Sequence, residues 1–142
     1  GNSTYWAWLN LLPADATLSL YFHIPYCDRL CWFCGCHTKQ IKRYEPITSY
    51  LQALHAEIRA VAGRLNGRGK VVALHFGGGS PSMLTPADFQ ALDDLLRSSF
   101  AFDDGAEISI EMDPNDMDAG RYDALAASGV TRASLGVQDF NH

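Results

Sequence analysis

The chain has 142 residues, of which 47% are hydrophobic and 19% are charged, and its formal net charge is −5. These values are typical of one globular domain that can bury a sizeable core. The negative charge, with no stripe of Lys and Arg, argues against nucleic acid as the main partner. No apolar run approaches the ~20 residues that a membrane span needs.

Taken in chain order, the sequence alternates strand-like and helix-like stretches after an N-terminal extension over residues 1–17. Apolar residues at helical spacing between Ile47 and Leu65 predict a long amphipathic helix. Thr85 and Pro86 are residue types preferred at the N-cap and the first position of a helix. The predicted strands cover 18–22, 71–76, 107–111 and 130–135, and the predicted helices cover 47–65, 85–100 and 118–128.

This alternation predicts an α/β fold, a parallel sheet with helices on its outside. In such folds, sites collect at the C-terminal ends of the strands. Each predicted strand is followed there by an unusual stretch. These stretches are the cysteine loop, the turn at 77–81, the acidic segment at 111–114 and the segment at 136–139. We expect all four to meet at one edge of the sheet.

The four cysteines of the chain lie within ten residues, at Cys27, Cys31, Cys34 and Cys36. The N-terminus lacks the pattern of a signal peptide, so we expect a reducing cytoplasm, where clustered cysteines more often bind metal than form disulfides. The first three, spaced C-x3-C-x2-C, can hold three irons of a [4Fe–4S] cluster and leave the fourth iron open for chemistry. A zinc site, which usually takes a second separated pair of ligands, and a disulfide or inert thiols are the alternatives. Cys36 follows Cys34 too closely to share the cluster in an extended run and is assigned a separate role.

Ordered motifs cover the chain from about residue 18 to its end: YFHIP at 21–25, Gly35-Cys36 after the ligand cysteines, GGGSPS at 77–82, EISIE with DP at 107–114, and GVQDF at 136–140. Together they resemble the radical S-adenosylmethionine (SAM) superfamily and, more narrowly, its oxygen-independent coproporphyrinogen III oxidases. The resemblance implies a partial (β/α)6 barrel with about its first four strand–helix units. Residues 18–142 would then form a radical SAM core that is truncated on its C-terminal side.

The resemblance also implies a chemistry. The open iron chelates SAM, and one electron from a low-potential donor cleaves the sulfonium to methionine and a 5′-deoxyadenosyl radical. The radical takes a hydrogen atom from a propionate of coproporphyrinogen III. Loss of carbon dioxide and an electron then leaves a vinyl group, and two such reactions yield protoporphyrinogen IX for haem synthesis. The protein must exclude water and oxygen and hold the radical beside one C–H bond.

Three candidate residues on the first strand and the cysteine loop take their roles from the resemblance. Tyr21 would contact SAM, and His23 would face the same edge, toward the cluster or the substrate. Both are candidate catalytic residues. Phe33 lies between two cluster ligands and would contact SAM through its backbone. A core tyrosine, a structural histidine and simple loop packing are the respective alternatives.

Further candidates follow the later strands. Gly78 and Gly79 carry no side chains, so their backbone can approach SAM closely, and Ser80 adds a hydroxyl. Glu111 would hold the ribose hydroxyls of SAM. Gln138 would contact a second SAM molecule. A bare turn, a solvated strand end and an ordinary loop residue are the corresponding structural alternatives.

The resemblance further implies a larger enzyme, with more barrel units, an N-terminal segment and a C-terminal domain around the substrate. We therefore expect this chain alone to bind a cluster at most, without oxidising porphyrinogen. Its fourth strand should be an apolar edge that pairs with further units. A related haem chaperone, which carries an aromatic residue in place of Cys36, is one alternative function. A zinc-stabilised interaction module is another.

Overall fold

The computed structural model describes residues 2–32 and 34–136. Its helices are α1 (Asn2–Leu11), α2 (Glu45–Leu65), α3 (Pro86–Ser99) and α4 (Ala119–Ala127), with 3₁₀ turns at Pro81–Met83 and Pro114–Asp116. Its strands are β1 (Thr17–Ile24), β2 (Tyr26–Cys27), β3 (Lys39–Gln40), β4 (Lys70–Gly78), β5 (Ala101–Met112) and β6 (Arg132–Leu135). The alternation of strands and helices predicted from residue 18 onward is confirmed.

The main sheet has the strand order β1-β4-β5-β6 within the described residues, and all three pairings are parallel. The predicted parallel sheet is therefore confirmed. The strand β5 begins at Ala101, six residues earlier than predicted. Its pairing with β4 is interrupted, since Phe102 pairs with Val71 and the next pair joins Glu107 to Ala73. The intervening segment, with Asp103 and Gly105, bulges out of the ladder, so its polar, glycine-containing sequence resembles a loop.

One face of the sheet packs against the helices. Side chains alternate between the two faces of a strand, so every second residue points toward α2 and α3. These residues and the inner faces of the two helices form one apolar core. Its strand members include Phe22, Ile24, Leu74, Phe76, Ile108 and Ile110, and its helix members include Ile47, Leu51, Ile58, Leu92 and Leu96.

The other face of the sheet carries polar side chains. In register across the strands lie Tyr21, His75 and Ser109. Two residues further along, His23 pairs with Gly77, and Glu111 follows Ser109 on β5. No helix covers this face within the described residues, and Tyr21 remains 58% exposed. This face and the C-terminal ends of the strands therefore form the surface on which a ligand can bind.

The N-terminal residues, predicted only as an extension, fold onto the end of α2. The guanidinium of Arg64 lies 5.5 Å from the ring centre of Trp6, and Arg68 donates a hydrogen bond to the carbonyl of Leu9. No periodic apolar stripe marks this short helix in the sequence, so it was not predicted. None of the helices of the described chain is both long and apolar enough to cross a membrane.

Candidate metal and cofactor site

The cysteine loop is closed at its base by a short ladder between β2 and β3. Lys39 N–H donates to the carbonyl of Pro25 at 2.8 Å, and Ile41 N–H donates to that of Cys27 at 2.9 Å. A turn inside the loop brings Cys34 N–H to 3.0 Å from the carbonyl of Cys31. The loop therefore presents its thiols from a fixed base at the C-terminal end of β1.

All four thiols are free, and they line one cavity of about 410 Å³. Burial, followed by the charge of the Cys34 thiolate, raises the pKa of the half-buried Cys27 thiol to about 11. The hydrogen bond from Thr38 is the main cause that lowers the pKa of Cys34, which is exposed. Cys34 therefore gives up its proton more readily than Cys27, and a metal that binds Cys27 must displace that proton.

The thiols of the loop are the type of donor that an iron–sulfur cluster takes. No group of three or more His, Cys, Asp or Glu side chains in the described ranges is arranged to hold one ion. A cubane makes a different demand, because each thiolate binds its own iron at a separate corner. The loop offers free thiols that line one cavity, and three of them are enough for three corners.

The glycine turn at the end of β4 lines the same cavity as the cysteines. Gly79 N–H donates to the carbonyl of Ile24 and Ser80 N–H to that of Tyr26, both at 2.7 Å. A Cβ on Gly79 would lie 2.4 Å from the Tyr26 carbonyl oxygen. Glycine is therefore required here because two backbones approach closely. The expected approach to SAM remains a prediction, and these two amides already have protein acceptors.

The conformation of Gly78 requires glycine for a second reason. Its φ of 107° lies in the region that side chains disfavour, and a Cβ there would lie 2.6 Å from the His23 ring. Its N–H donates to Oε2 of Glu111 at 3.1 Å. The turn after β4 is thereby joined to the end of β5.

Glu111 reaches the cavity with its carboxylate about half exposed. Besides Gly78 N–H, it contacts Nε2 of His75, which lies 3.3 Å from Oε1. His75 Nδ1 in turn lies 2.7 Å from the Ser109 hydroxyl. The sequence predicts His75 only as part of a buried strand and gives it no role in the site. The available signal was its position between Leu74 and Phe76, which point into the core and so place His75 on the opposite face of the sheet.

Tyr21 and His23 share a hydrogen bond of 3.1 Å between the phenol and Nδ1. Because His23 Nε2 lies 3.0 Å from the carbonyl of His37, it must carry the proton that this acceptor needs. In the neutral ring, Nδ1 then accepts from Tyr21. Partial burial, followed by the charges of Glu111 and Cys36, raises the pKa of Tyr21. His23 therefore fixes the cysteine loop to β1, and its catalytic role stays a prediction.

The hydroxyl of Ser80 is directed into the protein. Ser80 is 6% exposed and donates to Asp116, which also accepts from Ser82 at 2.9 Å. Ser82 Oγ accepts from Asp113 N–H at 3.0 Å. Asp116, another residue that the sequence reasoning missed, thus joins the turns that follow β4 and β5.

The predicted site residues are brought together as far as the structure describes them. The cavity is lined by the four cysteines, Gly78, Gly79, Ser80 and Glu111. Tyr21 and His23 lie on the adjoining polar face of the sheet. Phe33 and Gln138 lie outside the described residues. Four strand ends thus surround one space with thiols, a glycine turn, a carboxylate and residues 134–136.

Comparison with known proteins identifies the class of protein that carries this site. The sequence model of the radical SAM superfamily matches residues 21–142. The chain therefore belongs to the radical SAM superfamily, and its four-stranded parallel sheet is part of that fold. The resemblance read from the cysteine loop and the glycine turn is confirmed.

Within the superfamily, the chain is similar to oxygen-independent coproporphyrinogen III oxidases. It is 45% identical over 138 residues to that of Bradyrhizobium diazoefficiens, covering 97% of this chain and 31% of the relative. It is 47% identical over 127 residues to that of Salmonella typhimurium, covering 89% of this chain and 28% of the relative.

A solved structure gives the same result. The fold matches that of coproporphyrinogen III oxidase (HemN) from Escherichia coli, described as a radical SAM enzyme, with a TM-score of 0.91 and 40% identity. The match covers 99% of this chain and 32% of that one. The chain thus spans about a third of the length of these relatives.

Proposed function

We propose that this chain is the part of an oxygen-independent coproporphyrinogen III oxidase that binds a [4Fe–4S] cluster and SAM. The observation that supports this most is the cavity of about 410 Å³, which three spaced thiols, the glycine turn and Glu111 share. The identity of 45–47% to oxidases of that name supports the substrate assignment. The cytoplasmic location stays a prediction that belongs to this proposal.

In this proposal, Cys27, Cys31 and Cys34 bind three irons, and no protein ligand binds the fourth. A cluster with SAM bound to that iron supplies the one-electron cleavage of the sulfonium. The raised pKa of Cys27 means that iron binding there releases a proton, so loading should be favoured by alkaline pH. Cys36 lies on the same cavity and is free to take another role.

The remaining residues position the nucleoside. Glu111 accepts hydrogen bonds from the ribose hydroxyls, because a carboxylate provides only acceptors. Gly78, Gly79 and Ser80 shape the wall against which the cofactor lies. Tyr21 and His23 form the floor toward the substrate. The assignments of Phe33 and of Gln138, with a second SAM, are supported by the family resemblance alone.

The proposed overall reaction converts two propionates of coproporphyrinogen III to vinyl groups. Each conversion removes a hydrogen atom, an electron and carbon dioxide, and each requires a reducing electron for SAM from a low-potential donor. Because the chain is about a third of its relatives, we expect it to bind the cluster alone but to need the whole protein for turnover.

The test is anaerobic reconstitution of the full-length protein with iron and sulfide. Four irons per chain, a spectral change on adding SAM, and protoporphyrinogen IX formation with reductant are expected. Cys31→Ala should lose all three, while Cys36→Ala, the matched control, should retain the cluster. Tight haem binding without turnover would instead identify a haem chaperone, and zinc without sulfide would reject the proposal.

A further inference from the structure

His75 lies at the centre of the polar face and contacts a residue of the proposed cofactor site. In the sheet register it stands between Tyr21 on β1 and Ser109 on β5. Its ring stacks on Tyr21 with centroids 5.6 Å apart and an interplanar angle of 16°. Ser109 Oγ lies 2.7 Å from Nδ1. Stacking and this hydrogen bond together fix the plane of the imidazole.

The fixed ring determines which nitrogen faces Glu111. In the neutral ring, Nε2 carries the proton toward the carboxylate at 3.3 Å, while Nδ1 accepts from Ser109. Ser109 Oγ also lies 3.4 Å from the carbonyl of Leu74, a longer and weaker alternative acceptor. Because the carboxylate of Glu111 can only accept, Nε2 carries the proton of the neutral ring, and Ser109 must then donate to Nδ1.

The two donors to Glu111 bind different oxygens. His75 contacts Oε1, and Gly78 N–H contacts Oε2 at 3.1 Å. One anchor would let the carboxylate rotate about its terminal bond, whereas one on each oxygen fixes its plane. Each oxygen keeps a lone pair for another donor. Two acceptors in a fixed plane match the two neighbouring hydroxyls of a ribose.

We propose that His75 is a positioning residue, which holds Glu111 in the orientation that binds the vicinal diol of a nucleoside. This inference rests on the proposed function and deepens it. His75 acts through Glu111 and does not itself contact the ligand. Gly77 keeps this space open, since a Cβ there would lie 3.0 Å from His75 Nε2 and 3.2 Å from the Glu111 carboxyl carbon.

The test compares two variants of the reconstituted full-length protein. In His75→Gln the amide nitrogen can replace Nε2, and in His75→Asn it can replace only Nδ1. The probes are S-adenosylhomocysteine, which is not cleaved, and its 2′-deoxy analogue, measured by anaerobic calorimetry. We expect His75→Asn to weaken the first probe about tenfold, as for a lost hydrogen bond to a charged group. His75→Asn should also reduce the preference for the hydroxylated probe over its 2′-deoxy analogue. His75→Gln should retain both the affinity and the preference of the wild type.

The outcomes separate this inference from the proposed function. If the wild-type protein loads a cluster but binds neither probe, the proposed function fails. If it binds them and His75→Asn binds with the same affinity and hydroxyl preference, the positioning role is wrong. Should His75→Asn fail to fold, Ser109→Ala decides. This variant should partly reduce the hydroxyl preference, and an unchanged preference would overturn the inference.

Discussion

The substitution Gly79→Ala tests the close backbone approach that forms the wall of the site. An added Cβ would lie 2.4 Å from the carbonyl oxygen of Tyr26 and 2.8 Å from that of Ile24. Both neighbours are backbone atoms, so no side chain can rotate away. The turn after β4 must therefore move away from β1 and from the start of the cysteine loop.

The expected cost combines two effects. Overpacking of this kind costs about 1–3 kcal/mol. The displacement also weakens the two 2.7 Å hydrogen bonds from Gly79 and Ser80 to those same carbonyls, each contributing about 0.5–1.5 kcal/mol. The free energy of unfolding should therefore fall by about 2–6 kcal/mol. That is a large share of the roughly 5–15 kcal/mol available to a domain.

Urea unfolding of the purified protein measures this loss directly. Gly63→Ala is the matched control, because a Cβ at Gly63, inside α2, meets no atom within 4 Å. Helix propensity predicts that the control is more stable than wild type by about 0.5–1 kcal/mol. Iron content after reconstitution should fall in Gly79→Ala and not in the control. A Gly79→Ala variant as stable as wild type would refute the reasoning from backbone contact.

Three further predictions address the metal ligands, the turn network and the partly buried His55. Cys31→Ala should leave no iron or labile sulfide after reconstitution, whereas Cys36→Ala should leave both; loss in both variants would make the ligand assignment wrong. Asp116→Ala should lower the free energy of unfolding by about 1–3 kcal/mol, because the Ser80 hydroxyl loses its acceptor. Asp116→Asn, which keeps an acceptor, should lose less, and equal losses would contradict this account. Burial is the main cause that lowers the pKa of His55 below its ordinary 6.5, so this residue should contribute stability that is lost as pH falls through that range. Between about pH 7.5 and about pH 5.5, the free energy of unfolding should fall less for His55→Leu than for wild type. Equal falls in the two proteins would rule this out.

The arrangement of the site was predictable where periodicity decides the structure. Apolar residues at helical spacing located α2 and α3, and the strands between them had to be parallel. Thr85 was recognised as an N-cap, and its side chain does accept from Asp88 N–H. From these elements it follows that the cysteine loop, the glycine turn and Glu111 meet at one edge.

The sequence could not predict features that depend on contacts between distant segments. The sequence predicts that Gly79 lets a ligand approach its backbone. In the structure, the missing side chain instead allows β1 and the start of the cysteine loop to approach it closely. Asp116 reads as a loop acid, and its partners Ser80 and Ser82 lie more than thirty residues earlier in the chain. Local propensity carries no information on such pairs, which only the register of β4 and β5 brings together.

The segment from Leu74 to Gly78 shows how one strand serves both the core and the site. Leu74 and Phe76 point to the helices and are buried, so the strand reads as an ordinary hydrophobic run. The alternate positions, His75 and Gly77, point to the other face of the sheet. Across the sheet, His75 pairs with the polar residues Tyr21 and Ser109. His75 is partly buried, and hydrogen bonds to both of its ring nitrogens stabilise it there. Because Ser109 and Glu111 supply those hydrogen bonds, the polar row can persist beside the core, and the same hydrogen bonds hold the carboxylate at the edge of the cavity. Stability of the row and orientation of Glu111 therefore depend on one set of contacts, so a substitution at Ser109 should disturb both.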